Sequence, residues 1–384
     1  MTSTRQPKFT HDNSVKLIRG GREYFDLLEK LIEGAKHTIY FQIYIFDGDE
    51  TGNRVANALK EAARRKVRVF LLLDGYASQN LPKEVIEQLQ EAGVCFRWFK
   101  PWVKSKRFFL GRRMHHKVFV VDDLHSLVGG LNVSDRYNDI GETPAWLDWA
   151  VYAQGSVASG LAEVCRKRMR DVSARSISLA NRDQIHGQPC SVRILINDRV
   201  RRKSQITKCY LQMLKNARSG VIIMSPYFLP GYQIRKQIKL ASKRGVKVQL
   251  ILAGVSDISL AKYAERFMYD WLHRYNIEIF EYQKSVLHGK IATCDGEVVT
   301  VGSYNVNNLS AYLSIELNLE IKDEIFASHT QKLLQQIINN DCLPITRAVY
   351  KSQSNLLKHV LQVAAYGFFR LLFYVFTFRL KFKE

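Results

Sequence analysis

The chain is short of several features that would point to particular functions. Its six cysteines, at 95, 165, 190, 209, 294 and 342, include no Cys-x2-Cys pair, which argues against both a zinc site and a disulfide framework. Residues 1–13 are polar and contain no apolar signal core, so the chain is expected to stay in the cytoplasm. No uninterrupted, uncharged apolar run of about 18 residues occurs, and a simple spanning helix is not expected. Acidic residues are scarce: 36 Asp and Glu stand against 57 Lys and Arg, a net charge of +21. That imbalance points to an anionic partner, either nucleic acid or an acidic membrane surface.

What remains is globular in composition, with 46% hydrophobic and 24% charged residues. A chain of 384 residues can form one large domain or two halves, each with its own core. The second possibility is favoured by an internal repeat. Residues 114–132, MHHKVFVVDDLHSLVGGLN, place His115, Lys117, Asp122, Gly129 and Asn132 in the pattern His-x-Lys-x4-Asp-x6-Gly-x2-Asn. The same pattern returns 173 residues later (288 − 115 and 305 − 132) as His288, Lys290, Asp295, Gly302 and Asn305. A single copy is weak evidence, whereas two copies in step are not expected from unrelated hairpins.

The local physics suits a phosphate site. Residues 118–121 are β-branched and aromatic and end at Asp122-Asp123, a strand entering a turn. His115 and Lys117, two apart, share one face of that strand. The returning strand, 126–128, ends at Gly129-Gly130, where the backbone can approach a ligand closely. In the second copy Asp295-Gly296 is the better hairpin turn. Each half thus offers an imidazole, an ammonium and an amide. His116 and His125 alternate to other faces and are bystanders.

The doubled motif resembles the phospholipase D superfamily, in which two half-domains each give one His-x-Lys-x4-Asp motif to a shared site. The resemblance spans most of residues 13–345 and is strongest to bacterial cardiolipin synthases. It is carried further by Tyr227-Phe228-Leu229-Pro230, by Gly302-Ser303-x-Asn305, and by Ser310-x5-Glu316-Leu317. Gly130 departs from it, because many members carry Ser there, so the first half is one hydroxyl short.

The implied fold is α/β: a pseudo-twofold duplication of two half-domains, each a β-sheet flanked by helices, sharing one active site. The order of elements agrees. Residues 15–46 suggest strand, helix, strand, with Phe25, Leu28 and Ile32 at helical spacing. A helix over 52–66, a buried strand over 67–74, a helix from Pro82 to Gly93 and a strand over 95–99 follow. The second half repeats this with 192–196, 206–217, 221–228, a helix striped by Ile234, Ile238 and Ala241, and a strand over 246–252. Leu260, Ala264, Phe267 and Trp271 stripe one further helix, and 277–280 form a strand. The expected divisions are a first half over 1–175, a linker over 176–190, a second half over 191–345, and an apolar, basic tail over 346–384.

The resemblance implies that His115, Lys117, Asp122, His288, Lys290 and Asp295 are catalytic. One histidine would attack phosphorus and the other would protonate the departing alcohol. Asn132, Asn305 and Ser303 would bind the phosphate. Asp148 and Glu316, 19 and 14 residues beyond Gly129 and Gly302, stand where the family keeps the acids that orient the histidines, with Glu320 a rival to the latter. Asp122 and Asp295 also sit at turn ends and could stiffen the hairpins instead. No metal and no other cofactor is expected.

The expected activity is transfer of a phosphatidyl group, a cardiolipin synthase reaction drawing on phosphatidylglycerol. Hydrolysis of phospholipid is the nearest alternative, and a non-catalytic basic membrane-binding protein a remote one. The basic segment 104–113 and Arg199–Lys203 would suit lipid headgroups or nucleic acid, and the tail favours lipid. Residues 353–384 are apolar and aromatic, broken by Lys358, Arg370 and Arg379. They fit an interfacial helix on an anionic phospholipid membrane, with Arg370 snorkelling, and the protein is expected at the cytoplasmic face as a peripheral enzyme. A helix docked on the core is the alternative.

Overall fold

The structure is a computed structural model that describes residues 6–100, 112–169 and 189–381. Most of the basic segment 104–113 and of the linker lies outside the described residues.

The motif hairpins form because β-branched runs are bounded by residues that accept left-handed backbone. Lys117–Val121 pairs antiparallel with His125–Gly129, and Ile291–Cys294 with Val298–Gly302. The turn residues Asp122 and Asp123 have φ of 51° and 56°, and Asp295 and Gly296 have 54° and 68°, the pair of positive values that a tight hairpin needs. Alternate residues then serve two cores. Val118 and Val120 face the centre of the molecule, while Phe119 and Val121 face outward under the first-half helices.

From Thr10–Arg19 the first half runs strand by strand through Trp149–Gly155, His125–Gly129, Lys117–Val121, Thr38–Ile43, Arg68–Asp74 and Cys95–Phe99. From Cys190–Asp198 the second half runs in the same sense through Ser314–Lys322, Val298–Gly302, Ile291–Cys294, Gly220–Met224, Lys247–Ala253 and Glu278–Tyr282. The two series meet where Thr10–Arg19 pairs with Cys190–Asp198. The fold is thus the expected duplicated α/β arrangement. Helices Arg22–Gly34, Glu50–Arg64 and Lys83–Glu91 cover one outer face, and Gln205–Asn216 and Tyr232–Lys243 cover the other. A central core joins residues of both halves, among them Val118, Val128, Val299 and Leu317, with helices Ser156–Met169 and Glu324–Asp341.

Two local expectations are corrected. The strand expected over 221–228 ends at Met224, and Tyr227 to Pro230 pass instead along the cavity described below. The helix striped by Leu260, Ala264, Phe267 and Trp271 is two helices, Ser259–Arg266 and Tyr269–Arg274. Leu260 is exposed, and Phe267 stacks on Tyr366 of the tail at 4.6 Å between ring centroids. A buried polar cluster flanks the break. Lys262 and Arg266 both pair with Glu281, and Tyr269 donates to Glu281 at 2.9 Å, which places polar groups where an apolar stripe was expected.

The tail forms one helix, Leu356–Lys381. One face docks: Gln362 and Ala365 are buried, and Tyr350 donates a hydrogen bond to the Gln362 side chain at 3.0 Å. The other exposes Leu357, Val360, Phe368, Leu371 and Val375. The span Leu356–Val375 is long and apolar enough to cross a membrane by length and composition, and 11% of it is buried. Docked helix and apolar surface are therefore two faces of one element.

Candidate active site

The motif strands of the two halves aim their first residues at the same place. His115 and His288 line one cavity of about 720 Å³ together with Asn132, Asn305, Tyr44 and Tyr137. Each imidazole is clamped by a carboxylate from the opposite half. Glu316 reaches His115 Nδ1 at 2.9 Å, and Asp148 reaches His288 Nδ1 at 2.5 Å. The unequal sequence separations of the two acids hide an equivalence that the register reveals. Gly129 pairs with Ala150 and Gly302 with Asn318, so each acid stands two residues before the partner of its motif glycine. Glu320 is no rival, because it pairs with Arg193 at 2.6 Å.

The halves differ beneath the acids. Ser303 Oγ donates to Glu316 Oε2 at 2.5 Å and accepts from the Leu317 amide at 3.1 Å. Ser303 is fully buried, so the expectation that it binds substrate is corrected: it braces a carboxylate. At the equivalent Gly130, a Cβ would lie 2.3 Å from Asp148 Oδ1. The first half carries glycine there because its carboxylate fills the space a serine would need.

Asp122 and Asp295, expected among the catalytic residues, do not reach the cavity. Asp122 accepts from the backbone amides of Lys36, His37 and Thr38 at 2.7–2.8 Å. Asp295 accepts from those of Arg218, Ser219 and Gly220 at 2.9 Å. Both sit at the far hairpin ends, seven residues and so roughly 20 Å from the histidines by strand rise. They tie each hairpin to the start of a neighbouring strand.

The lysines lie behind the histidines. Lys117 Nζ donates to the His115 carbonyl at 2.6 Å, and Lys290 Nζ donates to the His288 carbonyl. Both are buried. Desolvation and then mutual repulsion bring Lys117 down to about 7, and desolvation brings Lys290 down to about 8. Burial likewise lowers His115 and His288, the latter strongly, and raises Asp148 to about 6. Burial thus favours neutral imidazoles at both positions.

Asn305 lines the cavity, and its Oδ1 is buried without a hydrogen-bond partner among the described residues. Asn132 accepts from the Ile45 amide at 3.0 Å and donates to Tyr137 OH at 2.9 Å. That hydroxyl lies 3.4 Å from His288 Nε2. His116 and His125 are turned elsewhere, against Gln42 and Tyr152.

A family model described as a cardiolipin synthase, PLD-like domain matches residues 28–142 and 210–338, one stretch around each motif. Escherichia coli K12 cardiolipin synthase B is 32% identical over 357 residues, covering 91% of this chain and 86% of that protein. The chain belongs to the cardiolipin synthase family of phospholipase D-like proteins. It is a phosphatidyltransferase of that superfamily. Pseudomonas syringae cardiolipin synthase A is 30% identical over 333 residues, 85% of this chain and 69% of that one. Among solved structures, Haemophilus influenzae phosphatidylserine synthase superposes with a TM-score of 0.74 at 16% identity, covering 95% of both chains, a likeness of fold.

Sequence reasoning missed much of this cardiolipin synthase-like cavity. Tyr44 and Tyr137 pack edge-on against His115 and His288, at 4.8 and 5.1 Å. Arg235, Tyr366, Phe369 and Phe373 also line the cavity. No motif marks them. The one available signal was the aromatic content of the tail.

Proposed function

We propose that the enzyme is a membrane-associated cardiolipin synthase, joining phosphatidylglycerol to a second phospholipid through a phosphatidyl-histidine intermediate. The observation that carries this reading is the crossed clamp: two imidazoles, each fixed at Nδ1 by a buried carboxylate, in one cavity with apolar walls. A carboxylate at Nδ1 holds the proton there and leaves Nε2 to react.

His115 is the nucleophile in this scheme. Among the described residues no group hydrogen-bonds its Nε2, whereas His288 Nε2 lies against the Tyr137 hydroxyl. Nε2 of His115 bonds to phosphorus as the bond to the glycerol oxygen breaks, and His288 gives that oxygen its proton. His288, now neutral, takes the proton from the hydroxyl of the second phospholipid. That oxygen bonds to phosphorus, the phosphorus–nitrogen bond breaks, and the product leaves with His288 protonated again. Lys117, Lys290 and Asn305 lower the energy of the charge that builds on the non-bridging oxygens.

The exposed apolar face of Leu356–Lys381, on a protein of net charge +21, supports attachment to an anionic bilayer. The test is incubation with vesicles of labelled phosphatidylglycerol, with or without EDTA. Cardiolipin and free glycerol are expected in both. Phosphatidic acid as the sole lipid product would make the enzyme a hydrolase.

A further inference from the structure

The reaction proposed above brings two phosphodiesters into one cavity, and this inference rests on that reading. The histidines and lysines serve the phosphate that reacts. The acceptor carries a second phosphate a few bonds away that stays anionic throughout, and sinking it into an apolar cavity without a cation is costly.

Three arginines line the cavity: Arg136, Arg235 and Arg370. Arg136 is already engaged. It pairs with Asp47 at 2.8 Å and lies over Trp146 at 5.5 Å. Arg235 and Arg370, one on helix Tyr232–Lys243 and the other on the tail helix, both meet Tyr366, Arg370 lying over its ring at 6.0 Å. Neither has a carboxylate within ion-pair range among the described residues. Arg235 Nη1 reaches only the Tyr366 hydroxyl, at 3.4 Å, and its Nε is buried with no partner. A buried guanidinium N–H left without an acceptor costs stability, and it persists here at the wall of a substrate cavity. Phe369 and Phe373 line the same cavity, and the outer face of their helix is the apolar surface described above.

We propose that Arg235 and Arg370 form a second phosphodiester subsite, which holds the unreacting phosphate of the acceptor phospholipid while the tail helix supplies the wall along its acyl chains. The guanidinium fork matches two phosphate oxygens. The subsite makes the acceptor a phospholipid rather than a simple alcohol or water. It also gives the tail a second role, because the helix that meets the bilayer is the one that completes the acceptor site.

The experiment sets two acceptors in competition on the full chain: phosphatidylglycerol in labelled vesicles against ethanol, which has no phosphate. The readout is the ratio of cardiolipin to phosphatidylethanol. Losing a charge-assisted contact is worth about tenfold or more, so Arg235→Gln and Arg370→Gln should each lower the ratio by about that factor. Arg235→Lys, which keeps the charge and loses the fork, should restore part of it. A thermal midpoint within a few degrees of wild type shows that the variants are folded. A ratio within twofold of wild type in both folded Gln variants overturns the subsite and leaves cardiolipin synthesis standing. Wild-type enzyme that makes phosphatidylethanol but no cardiolipin overturns both.

Discussion

Asp148, from the first half of the chain, closes on Nδ1 of His288, from the second, at 2.5 Å, and Glu316 returns the arrangement to His115. Neither half can therefore orient its own histidine, and the site exists only where the two halves meet. The acids also do different work. In the proposed scheme Glu316 would hold the tautomer of His115 as nucleophile, while Asp148 would stabilise the imidazolium that His288 becomes.

Asp148→Asn and Glu316→Gln keep shape and lose charge. Each should lower turnover by roughly 10³–10⁴-fold, the scale for a histidine released into the wrong tautomer. Binding of phosphatidylglycerol vesicles should be unaffected. Steady-state kinetics beside a flotation assay separates the two effects.

Gly130→Ser should be damaging even though the second half carries Ser303 at the equivalent position. Its Cβ would enter the space of the Asp148 carboxylate and push it off His288. The double variant Gly130→Ser/Asp148→Glu rebuilds the arrangement of Ser303 and Glu316, and it should recover activity that the single serine variant loses. Equal loss in single and double variants would break the argument from packing.

Activity should depend on pH in a defined direction. His288 must carry a proton to release the alcohol, and burial and the two lysines lower it well below the ordinary imidazole value. As pH rises through that titration kcat/KM falls, and it falls further as Lys117 and Lys290, lowered to about 7 and about 8, lose their charge. His115, lowered from the ordinary imidazole value by burial, must be neutral to attack, so the acid limb lies below that value. The two limbs belong to the site jointly. An anionic substrate raises the lysines, and the alkaline limb of kcat should lie above that of kcat/KM. The sign for stability is opposite: an unfolded lysine binds its proton up to about 10.4, so these two groups favour the folded state more as pH rises from about 7 towards 10.

Asp122→Asn and Asp295→Asn should act on stability rather than catalysis. Each weakens charge-assisted bonds to backbone amides, a cost of about 1–3 kcal/mol. Thermal unfolding should show it, with kcat within a few fold of wild type.

Much of the fold and part of the site were legible in the sequence. The constant offset between motifs disclosed the duplication, and β-branched alternation disclosed the hairpins. The motif places Asp122 and Asp295 among the catalytic residues, because a repeated spacing cannot say which end of a strand faces the cavity. The other reading of their turn-end positions, that they stiffen the hairpins, is the one their backbone contacts favour. The crossing of Asp148 and Glu316 was hidden for a similar reason, since it depends on strand register between halves. Ser303 was misjudged because a hydroxyl beside a catalytic residue can point at substrate or at an acid, and burial decides. The split at Phe267 lies beside ion pairs with Glu281, which apolar periodicity does not record.

The central claim, a covalent phosphatidyl-histidine formed on His115, is tested most directly by rapid acid-free quenching of the enzyme with a p-nitrophenyl phosphodiester and peptide mass spectrometry. An adduct on His115 is expected in wild type. It should accumulate further in His288→Ala, because an activated leaving group needs no proton while the acceptor step still does. It should vanish in His115→Ala. An adduct on His288 in the His115→Ala protein would reverse the roles, and the absence of any adduct during turnover would contradict the covalent mechanism.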